Sequence, residues 1–223
     1  MAENIVSVGV FSKDKPGNEL PLNWEPLTFK KIKNHTKYQL VKIDGKIVVK
    51  AITKNSASGL IRKIDLDLRE YPIIEWHWKI DNIYIKGNAK EKSGDDYPGR
   101  IYIAFKYDST KVGFFEKVKF NAIKAIFGEY PPVASINYIW ERSLPVGTIV
   151  ENPYTQRVQM IVVDTGKEKL GQWITHTRNV LDDYRVAFGE DPPHISGVAI
   201  MSDSDNTNES ATAYYGDLIF KKN

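Results

Sequence analysis

Cysteine is absent from this chain of 223 residues. Its absence excludes thiol catalysis, zinc bound by cysteine and a disulfide scaffold, and a chain of this length can bury a sizeable core without such a scaffold. Long apolar runs are absent too, because no stretch approaches the roughly 18 consecutive apolar residues of a transmembrane segment. The first residues, "MAENIVSVGVFSKDKPGNELP", contain no basic region followed by an apolar core, so no signal peptide is visible.

Excess charge of either sign is small, since 31 basic and 28 acidic residues leave a net charge of +3. A protein that binds nucleic acid through its phosphates is expected to gather Lys and Arg into a dense stripe. The nearest approach to a stripe is Lys30, Lys31 and Lys33, which we interpret as an exposed strand edge. The composition therefore indicates a globular protein that does not bind nucleic acid, and it leaves the oligomeric state open.

The common catalytic motifs are missing as well. The four histidines lack the paired spacing of a zinc site. No G-x-S-x-G nucleophile elbow, phosphate-binding loop or dinucleotide-binding G-x-G-x-x-G occurs. The residues therefore do not identify a reaction.

Most of the chain consists of short alternating or β-branched runs separated by turn residues, which predict an all-β fold. The Asp-Gly pair at 44–45 predicts a tight hairpin. Apolar residues recur at helical spacing in 114–127 and 175–188, so we expect two short peripheral helices. We predict a single jelly-roll-like β-sandwich domain over residues 1–223, with about ten strands. The predicted strands are 27–32, 37–43, 46–53, 57–64, 73–80, 100–107, 133–141, 156–164, 195–202 and 211–220.

The segment "EWHWKI", residues 75–80, would place its two tryptophans on one face of a strand and its three polar residues on the other. One interpretation makes the tryptophans core and the polar residues a solvated face. The other assigns the polar residues to a broad hydrogen-bonding surface that binds an extended polar ligand such as a saccharide. This second interpretation gathers four residues on one sheet face: His77, Lys79, Arg100 and Asn137.

Acidic residues offer a second kind of site. Hydrolysis of a glycosidic bond needs two carboxyl groups flanking that bond. Asp95 or Asp96, in the long polar loop 86–99, and Asp203 or Asp205, after a predicted strand, are candidates for the acid and the base. No strand spaces several acids two residues apart toward one face, so an enzyme acting on glycans is an alternative rather than the first hypothesis.

The segment "HTRNVLDDYR" places Arg178 and Asp182 four residues apart on the second predicted helix. This spacing favours a surface ion pair along the helix. The alternative is that Arg178 reaches a buried carboxylate of the sheet.

The loop "SDSDNTNES", residues 202–210, raises the question of calcium. Read as an EF-hand from Asp203, it has Asn208 in place of the required glycine and Tyr214 in place of the bidentate glutamate, so it is not an EF-hand. A calcium site of another kind, using Asp203 and Asp205, stays open. We favour a hairpin loop in which Asp and Asn form local turns.

Six stretches of the chain, in order, carry a resemblance to a known family: "ASGLIRKIDLDLREYPIIEWHWKID", "GDDYPGRIYIAF", "INYIWE", "NPYTQRVQMIVVDTG", "GQWITHTRNVLDDYRVAFGEDPP" and "GVAIMSDSDNTNESATAYYGDLIF". They cover most of residues 57–220 and resemble an uncharacterised bacterial family, domain of unknown function 3047. The resemblance implies little chemistry. It implies a periplasmic or secreted location, because members of the family are usually taken to be exported, whereas the missing signal peptide leaves a cytoplasmic location open.

A looser resemblance, carried by "LPLNWEPLTF", "ASGL" and "YYGDLIF", is to jelly-roll carbohydrate-binding modules. The resemblance to domain of unknown function 3047 implies a set of recurrent polar positions. On this chain they would fall on Lys79, Asp95, Asp96, Arg100, Asn137, Arg178, Asp182, Asp183, Asp203, Asp205, Asn206 and Asp217.

The first hypothesis is therefore a non-catalytic binding module for a polar envelope ligand, foremost a saccharide. Its predicted ligand-binding residues are His77, Lys79, Asp95, Asp96, Arg100, Asn137, Arg178, Asp182, Asp203 and Asp205. We expect no cofactor, with calcium at Asp203 and Asp205 as the exception to test. The alternatives are a glycan hydrolase or lyase that uses paired carboxylates, and a structural or protein-interaction domain whose polar residues form an internal network.

Overall fold

The alternating runs form thirteen strands in the computed structural model, which describes residues 4–108, 113, 117, 120, 121, 124 and 132–223. In chain order the strands are β1 (Ile5–Gly9), β2 (Glu25–Leu27), β3 (Lys37–Ile43), β4 (Lys46–Lys54), β5 (Ala57–Leu66), β6 (Ile73–Ile80), β7 (Arg100–Phe105), β8 (Ala134–Glu141), β9 (Ile149–Asn152), β10 (Thr155–Thr165), β11 (Ile174–Asn179), β12 (Ile195–Asp203) and β13 (Ser210–Lys221). Helix α1 (Val180–Phe188) lies between β11 and β12. None of the described helices is long and apolar enough to cross a membrane.

The strands pair into two sheets. Sheet 1 has the order β11-β6-β13-β4-β3, with β1 paired to another part of β13. Sheet 2 has the order β2-β5-β12-β7-β8-β10-β9, in which β8 and β10 are parallel and the other pairs are antiparallel. The predicted all-β, jelly-roll-like sandwich is thus confirmed. The predicted hairpin is also present, because Asp44 and Gly45 connect β3 to β4 with positive φ angles of 51° and 83°.

The core between the sheets follows from the period of two along each strand. On β6 the side chains of Trp76 and Trp78 are fully buried, as the first interpretation of "EWHWKI" holds. On β7 the side chains of Ile101 and Ile103 join the same core. Neighbouring residues on these strands therefore face outward, and this alternation determines which polar side chains share a surface.

A buried polar bridge joins the two sheets on one side of this core. Asp164, on β10 of sheet 2, accepts a hydrogen bond from Nε1 of Trp78 at 2.9 Å and lies 2.6 Å from Nε2 of His176, both in sheet 1. Nε2 of His176 must donate, because an ionised carboxylate only accepts. Burial raises the pKa of Asp164, but the hydrogen bonds and charge of its partners more than offset this, so that its pKa is lowered overall.

Some predicted elements are wrong. The predicted helix 175–188 begins as strand β11, and the helix starts only at Val180. Asn179 is its N-cap and accepts a hydrogen bond from the backbone N–H of Asp182 at 3.2 Å.

The predicted strand 27–32 retains only Leu27, at the end of β2, so the lysines at 30, 31 and 33 do not form a strand edge. The predicted helix 114–127 lies, apart from four residues, outside the described part of the chain.

Candidate functional site

A cavity of about 650 Å³ lies on the outer face of sheet 2. Strands β7 and β12 contribute Arg100, Tyr102, Met201 and Asp203 to its lining. The other lining residues come from β5, from segment 28–32, from the turn after β9, from β10 and from two loops: Thr28, Phe29, Lys30, Lys31, Ile32, Ala57, Asp95, Asn152, Tyr154, Val158, Asp205 and Asn206. We call it the sheet 2 cavity.

The alternation of the two central strands explains why polar side chains face this cavity. Ile101 and Ile103 point into the core, so Arg100 and Tyr102 point outward. On β12, Ile200 points into the core, and Asp203, three residues later, points outward. Because β7 and β12 are neighbours in the sheet, these outward side chains converge.

Arg100 lies at the centre of the polar lining and is only 2% exposed. Its Nε donates to Oδ1 of Asp203 at 2.9 Å and its Nη2 to Oδ2 of Asp203, so the pair is bidentate. Its Nη2 also donates to the carbonyl oxygen of Asp95 at 2.6 Å, and its Nη1 to the hydroxyl of Tyr102 at 3.0 Å. Burial lowers the pKa of Arg100, but the carboxylate of Asp203 raises it further, so the guanidinium stays charged.

Two carboxyl groups, Asp203 and Asp95, lie against this guanidinium, and Asp96 and Asp205 lie close to Asp203. Asp203 also accepts the backbone N–H of Tyr97 at 3.0 Å. Asp96 accepts Nδ2 of Asn206 at 3.1 Å and the backbone N–H of Thr207 at 2.6 Å. Asp95 accepts Nδ2 of Asn152 at 2.8 Å.

Burial raises the pKa values of Asp95, Asp203 and Asp205. Arg100 opposes this shift at all three residues, whereas Asp96 adds to it. Repulsion among the carboxyl groups thus adds to the effect of burial on their pKa values, and Arg100 does not fully offset the two.

The loop 203–209 forms part of this acidic region. It leaves sheet 2 at the end of β12 and enters sheet 1 at the start of β13, so its interpretation as a hairpin loop is wrong. Asn208 has a positive φ of 58°, a conformation that Asn tolerates. The sheet crossing brings Asp205 and Asn206 to the cavity beside Asp95 of a distant loop.

Aromatic side chains line the cavity near its exposed edge. Tyr154 is 56% exposed and Phe29 is 40% exposed. The hydroxyl of Tyr154 lies within hydrogen-bond distance of two acceptors, Oδ1 of Asn206 at 2.9 Å and the carbonyl oxygen of Lys92 at 3.2 Å. The hydroxyl is therefore held in position while more than half of the residue remains exposed to solvent.

The structure separates the predicted site residues into three places. Asp95, Asp96, Arg100, Asp203 and Asp205 lie together at the acidic end of the sheet 2 cavity. Asn137 lies on the same face of sheet 2, opposite Tyr102 in the register of β7 and β8. Its side-chain amide is fully buried and has no hydrogen-bond partner in the described part of the chain.

The prediction that His77 and Lys79 share this face is wrong, because β6 belongs to sheet 1. His77 lines a separate cavity of about 300 Å³ with Trp173, and burial lowers its pKa. The nitrogen of Lys79 lies 4.6 Å from the ring centroid of Tyr214. The imidazole of His77 lies so close to Gly216 that a Cβ there would come within 1.9 Å of it, which explains the glycine.

Arg178 and Asp182 lie near the junction of β11 and α1 and do not pair with each other. Arg178 is in the strand, and its Nε donates to Asp183 at 3.0 Å. Asp182 lies 3.7 Å from Nη1 of Arg185. The predicted helical ion pair is therefore wrong, because the helix begins after Arg178.

Sequence reasoning missed several cavity residues, chief among them Phe29, Asn152 and Tyr154. A signal existed for two of them, since the Asn-Pro pair at 152–153 marks a turn, and an aromatic residue following such a turn is often exposed. Phe29 lay inside a run that we assigned to a strand, and nothing local indicates that it turns toward the cavity.

A sequence match shows the family of the chain. A family described as "Protein of unknown function (DUF3047)" matches residues 22–219. The chain belongs to this family. No curated protein matches the DUF3047 chain significantly.

Solved structures of similar shape share little sequence with this DUF3047 protein. A family 11 carbohydrate-binding module of a cellulosomal cellulase of Clostridium thermocellum is 13% identical, with a TM-score of 0.44 and coverage of 100% of this chain and 97% of that one. A family 12 xyloglucanase from Bacillus licheniformis is 7% identical, with a TM-score of 0.48 and coverage of 98% and 100%. A cleaved adhesin domain of Lys-gingipain from Porphyromonas gingivalis is 11% identical, with a TM-score of 0.42 and coverage of 98% and 98%.

Proposed function

We propose that this domain binds a saccharide in the sheet 2 cavity. The observation that supports this most is the combination of open aromatic rings and fixed hydrogen-bonding side chains in one cavity. A sugar ring presents C–H groups on its faces and hydroxyl groups around its edge. The rings of Phe29 and Tyr154 suit the faces, and the side chains of Asp95, Asn152 and Asn206 suit the hydroxyl groups.

The polar groups are held in place before any ligand arrives. Asn152 donates to Asp95, Asn206 donates to Asp96, and the hydroxyl of Tyr102 accepts from Arg100. Because these side chains are already ordered, binding a ligand costs little additional conformational entropy. The volume of about 650 Å³ also lies within the range of about 300–1,000 Å³ that is typical of small-molecule sites.

A saccharide of the cell envelope is the ligand class that we place first. It requires the domain to reach the periplasm or the cell surface, in keeping with the location that the family resemblance implies. Fractionation of the native host cells, followed by detection of the protein in each fraction, tests this part of the proposal, and a purely cytoplasmic protein would contradict it.

Isothermal titration against a panel of soluble envelope oligosaccharides tests the binding. We expect Tyr154→Ala to weaken the affinity for any bound oligosaccharide by about 10- to 100-fold, because an exposed aromatic contact contributes about 1–3 kcal/mol. Trp173→Ala is the matched control, since it removes an aromatic ring from the outer face of sheet 1. The proposal fails if the panel shows no binding, or if Trp173→Ala weakens binding and Tyr154→Ala does not.

A second candidate function is cleavage of a glycan in the same cavity. It is favoured by Asp95 and Asp205, which both line the cavity and whose pKa values burial raises. Oδ1 of Asp95 is buried and receives no hydrogen bond in the described part of the chain, and Nη1 of Arg100 lies 3.7 Å from it. A carboxyl group with a raised pKa is suited to the role of general acid.

Release of reducing ends, or of unsaturated products, from a polysaccharide panel tests this second candidate. If it is right, Asp95→Asn or Asp205→Asn should lower turnover by about 100-fold or more, as expected for removal of a general acid or base. Glu75→Gln, on the outer face of sheet 1, is the control and should leave turnover unchanged. Binding without product release from any substrate would leave the domain as a binding module.

A further inference from the structure

Three of the carboxyl groups are close enough to share one ion. One oxygen from each of Asp96, Asp203 and Asp205 lies within 4.8 Å of the others. Asp96 and Asp203 are almost fully buried, and Asp205 is half-buried beside the sheet 2 cavity. All the donors are oxygens, which is the preference of a hard divalent cation such as Ca²⁺.

The charges around the three groups are unbalanced. In the described part of the chain, Arg100 is the cation that pairs with them, through Asp203. It also lies 3.7 Å from Oδ1 of Asp95, which adds a fourth carboxyl group. Four carboxyl groups thus share one directly paired guanidinium, and ionising several of them close together in a largely buried region is costly unless their charge is compensated.

The lone pairs of the three carboxylates are not exhausted by the protein. Each carboxylate offers about four acceptor sites. Asp203 accepts three hydrogen bonds, two from Arg100 and one from Tyr97. Asp96 accepts two, whereas Asp205 receives only its own backbone N–H. Among the described residues, all three carboxylates therefore keep lone pairs that could bind a cation, and other donors or water would complete the six to eight oxygen ligands of Ca²⁺.

Two buried hydroxyl groups, those of Thr207 and Tyr84, have no hydrogen-bond partner in the part of the chain that the structure describes. Oγ1 of Thr207 has no hydrogen-bond partner although the residue is only 1% exposed, and the backbone N–H of Thr207 donates to Asp96. Oη of Tyr84 is likewise without a partner, at 2% exposure. Tyr84 and Asp96 line the same small cavity.

The cavity that Tyr84 shares with Asp96 is very small. It has a volume of about 10 Å³, and Tyr84 and Asp96 are among its lining residues. A space of this size accommodates about one water-sized body. Buried hydroxyl groups normally have partners, so the unpartnered oxygens near the carboxylate cluster are suited to contact a ligand.

We propose that Asp96, Asp203 and Asp205 bind one divalent cation, of which Ca²⁺ fits best, with the hydroxyl of Thr207 as a nearby oxygen donor. The absence of sulfur and imidazole from the group disfavours zinc and other soft-ligand metals. The irregular loop that supplies Asp205 suits the adaptable coordination of Ca²⁺ better than the strict octahedron of Mg²⁺. The inference rests on these side chains and does not depend on saccharide binding.

Protein stripped with a chelator and then titrated with CaCl₂, by calorimetry and by thermal unfolding, tests the proposal. We expect a single binding event, and at free Ca²⁺ about 100-fold above Kd a rise in Tm of about 5–10 °C. Mg²⁺ and Mn²⁺ titrations show whether the site selects among hard cations. No saccharide is present, so the outcome is separate from that of the proposed function.

Two variants make the test specific to the three carboxylates. Asp205→Asn removes one ligand charge at a half-buried turn position where Asn is readily accommodated, so the variant should fold and lose at least about 10-fold in cation affinity. Asp44→Asn, in the β3–β4 turn, is the matched control and should bind as the wild type does. The proposal is overturned if the wild-type protein responds to none of the three cations, or if Asp205→Asn retains the full response.

Discussion

Arg100→Ala should lower the free energy of unfolding by about 3–5 kcal/mol, because it leaves the carboxylate of Asp203 buried without its bidentate partner. Arg100 and Asp203 expose only 2% and 3% of their surfaces. The variant also removes the hydrogen bonds to the carbonyl oxygen of Asp95 and to the hydroxyl of Tyr102. Chemical denaturation in urea, at constant pH and with a chelator present, measures the loss.

Two further variants show whether the loss comes from the buried pair. Arg69 also forms a bidentate pair, with Asp67, but the side chain of Arg69 is 70% exposed. Arg69→Ala should therefore lower the free energy of unfolding far less than Arg100→Ala does. The double variant Arg100→Met and Asp203→Asn removes both charges at once and should be less destabilised than the sum of the single variants. Additive effects of the two substitutions would show that the pair is not coupled, against the geometry of the site.

The fold class was predictable because it depends on local patterns that many residues share. The alternation in "EWHWKI" required only that Trp76 and Trp78 face a core, and burial of aromatic surface enforced this. The boundaries of "HTRNVLDDYR" were harder to predict. Its apolar residues fit a helix throughout, yet 174–179 pair with β6 as an edge strand. Tertiary hydrogen bonding thus outweighed a local periodicity that was correct only from Val180 onward.

The candidate site was predictable only in part, for a reason that lies in the topology. Asp95, Arg100 and Asp203 were each visible as polar residues, and the neighbouring positions of β7 and β12 bring them together. His77 and Lys79 have the same alternating pattern, but their strand lies in the other sheet. A period of two shows which residues share a face of one strand, and it does not show which of two sheets that strand joins.

Long-range contacts account for the rest of the site. Phe29 and Tyr154 are separated by more than a hundred residues, and each reaches the cavity from outside a strand, Phe29 from the segment after β2 and Tyr154 from the turn between β9 and β10. Asn206 accepts from Tyr154, 52 residues away, and donates to Asp96, 110 residues away. Such contacts leave no local signal in the sequence, so the aromatic part of the cavity became visible only in three dimensions.

Asp164→Ala should destabilise the protein by about 3–5 kcal/mol, because it removes the one acceptor that the described structure provides for Nε1 of Trp78 and breaks the bond between Asp164 and His176. The indole is fully buried, so its N–H cannot turn to water for a new partner. Asp164→Asn keeps an acceptor oxygen and should lose less. Lys169→Ala, which removes only a half-exposed partner of Asp164, should lose least.

The pH dependence of these variants separates the charge of Asp164 from its shape. The pKa of Asp164 is lower in the folded protein than in the unfolded chain. Its stabilising contribution is therefore complete above the unfolded value of about 3.9 and is lost as the pH falls through the folded value. Urea denaturation between about pH 5 and pH 3 should thus show wild-type stability falling toward that of Asp164→Asn, whereas a constant gap would mean that hydrogen-bond geometry alone joins the two sheets.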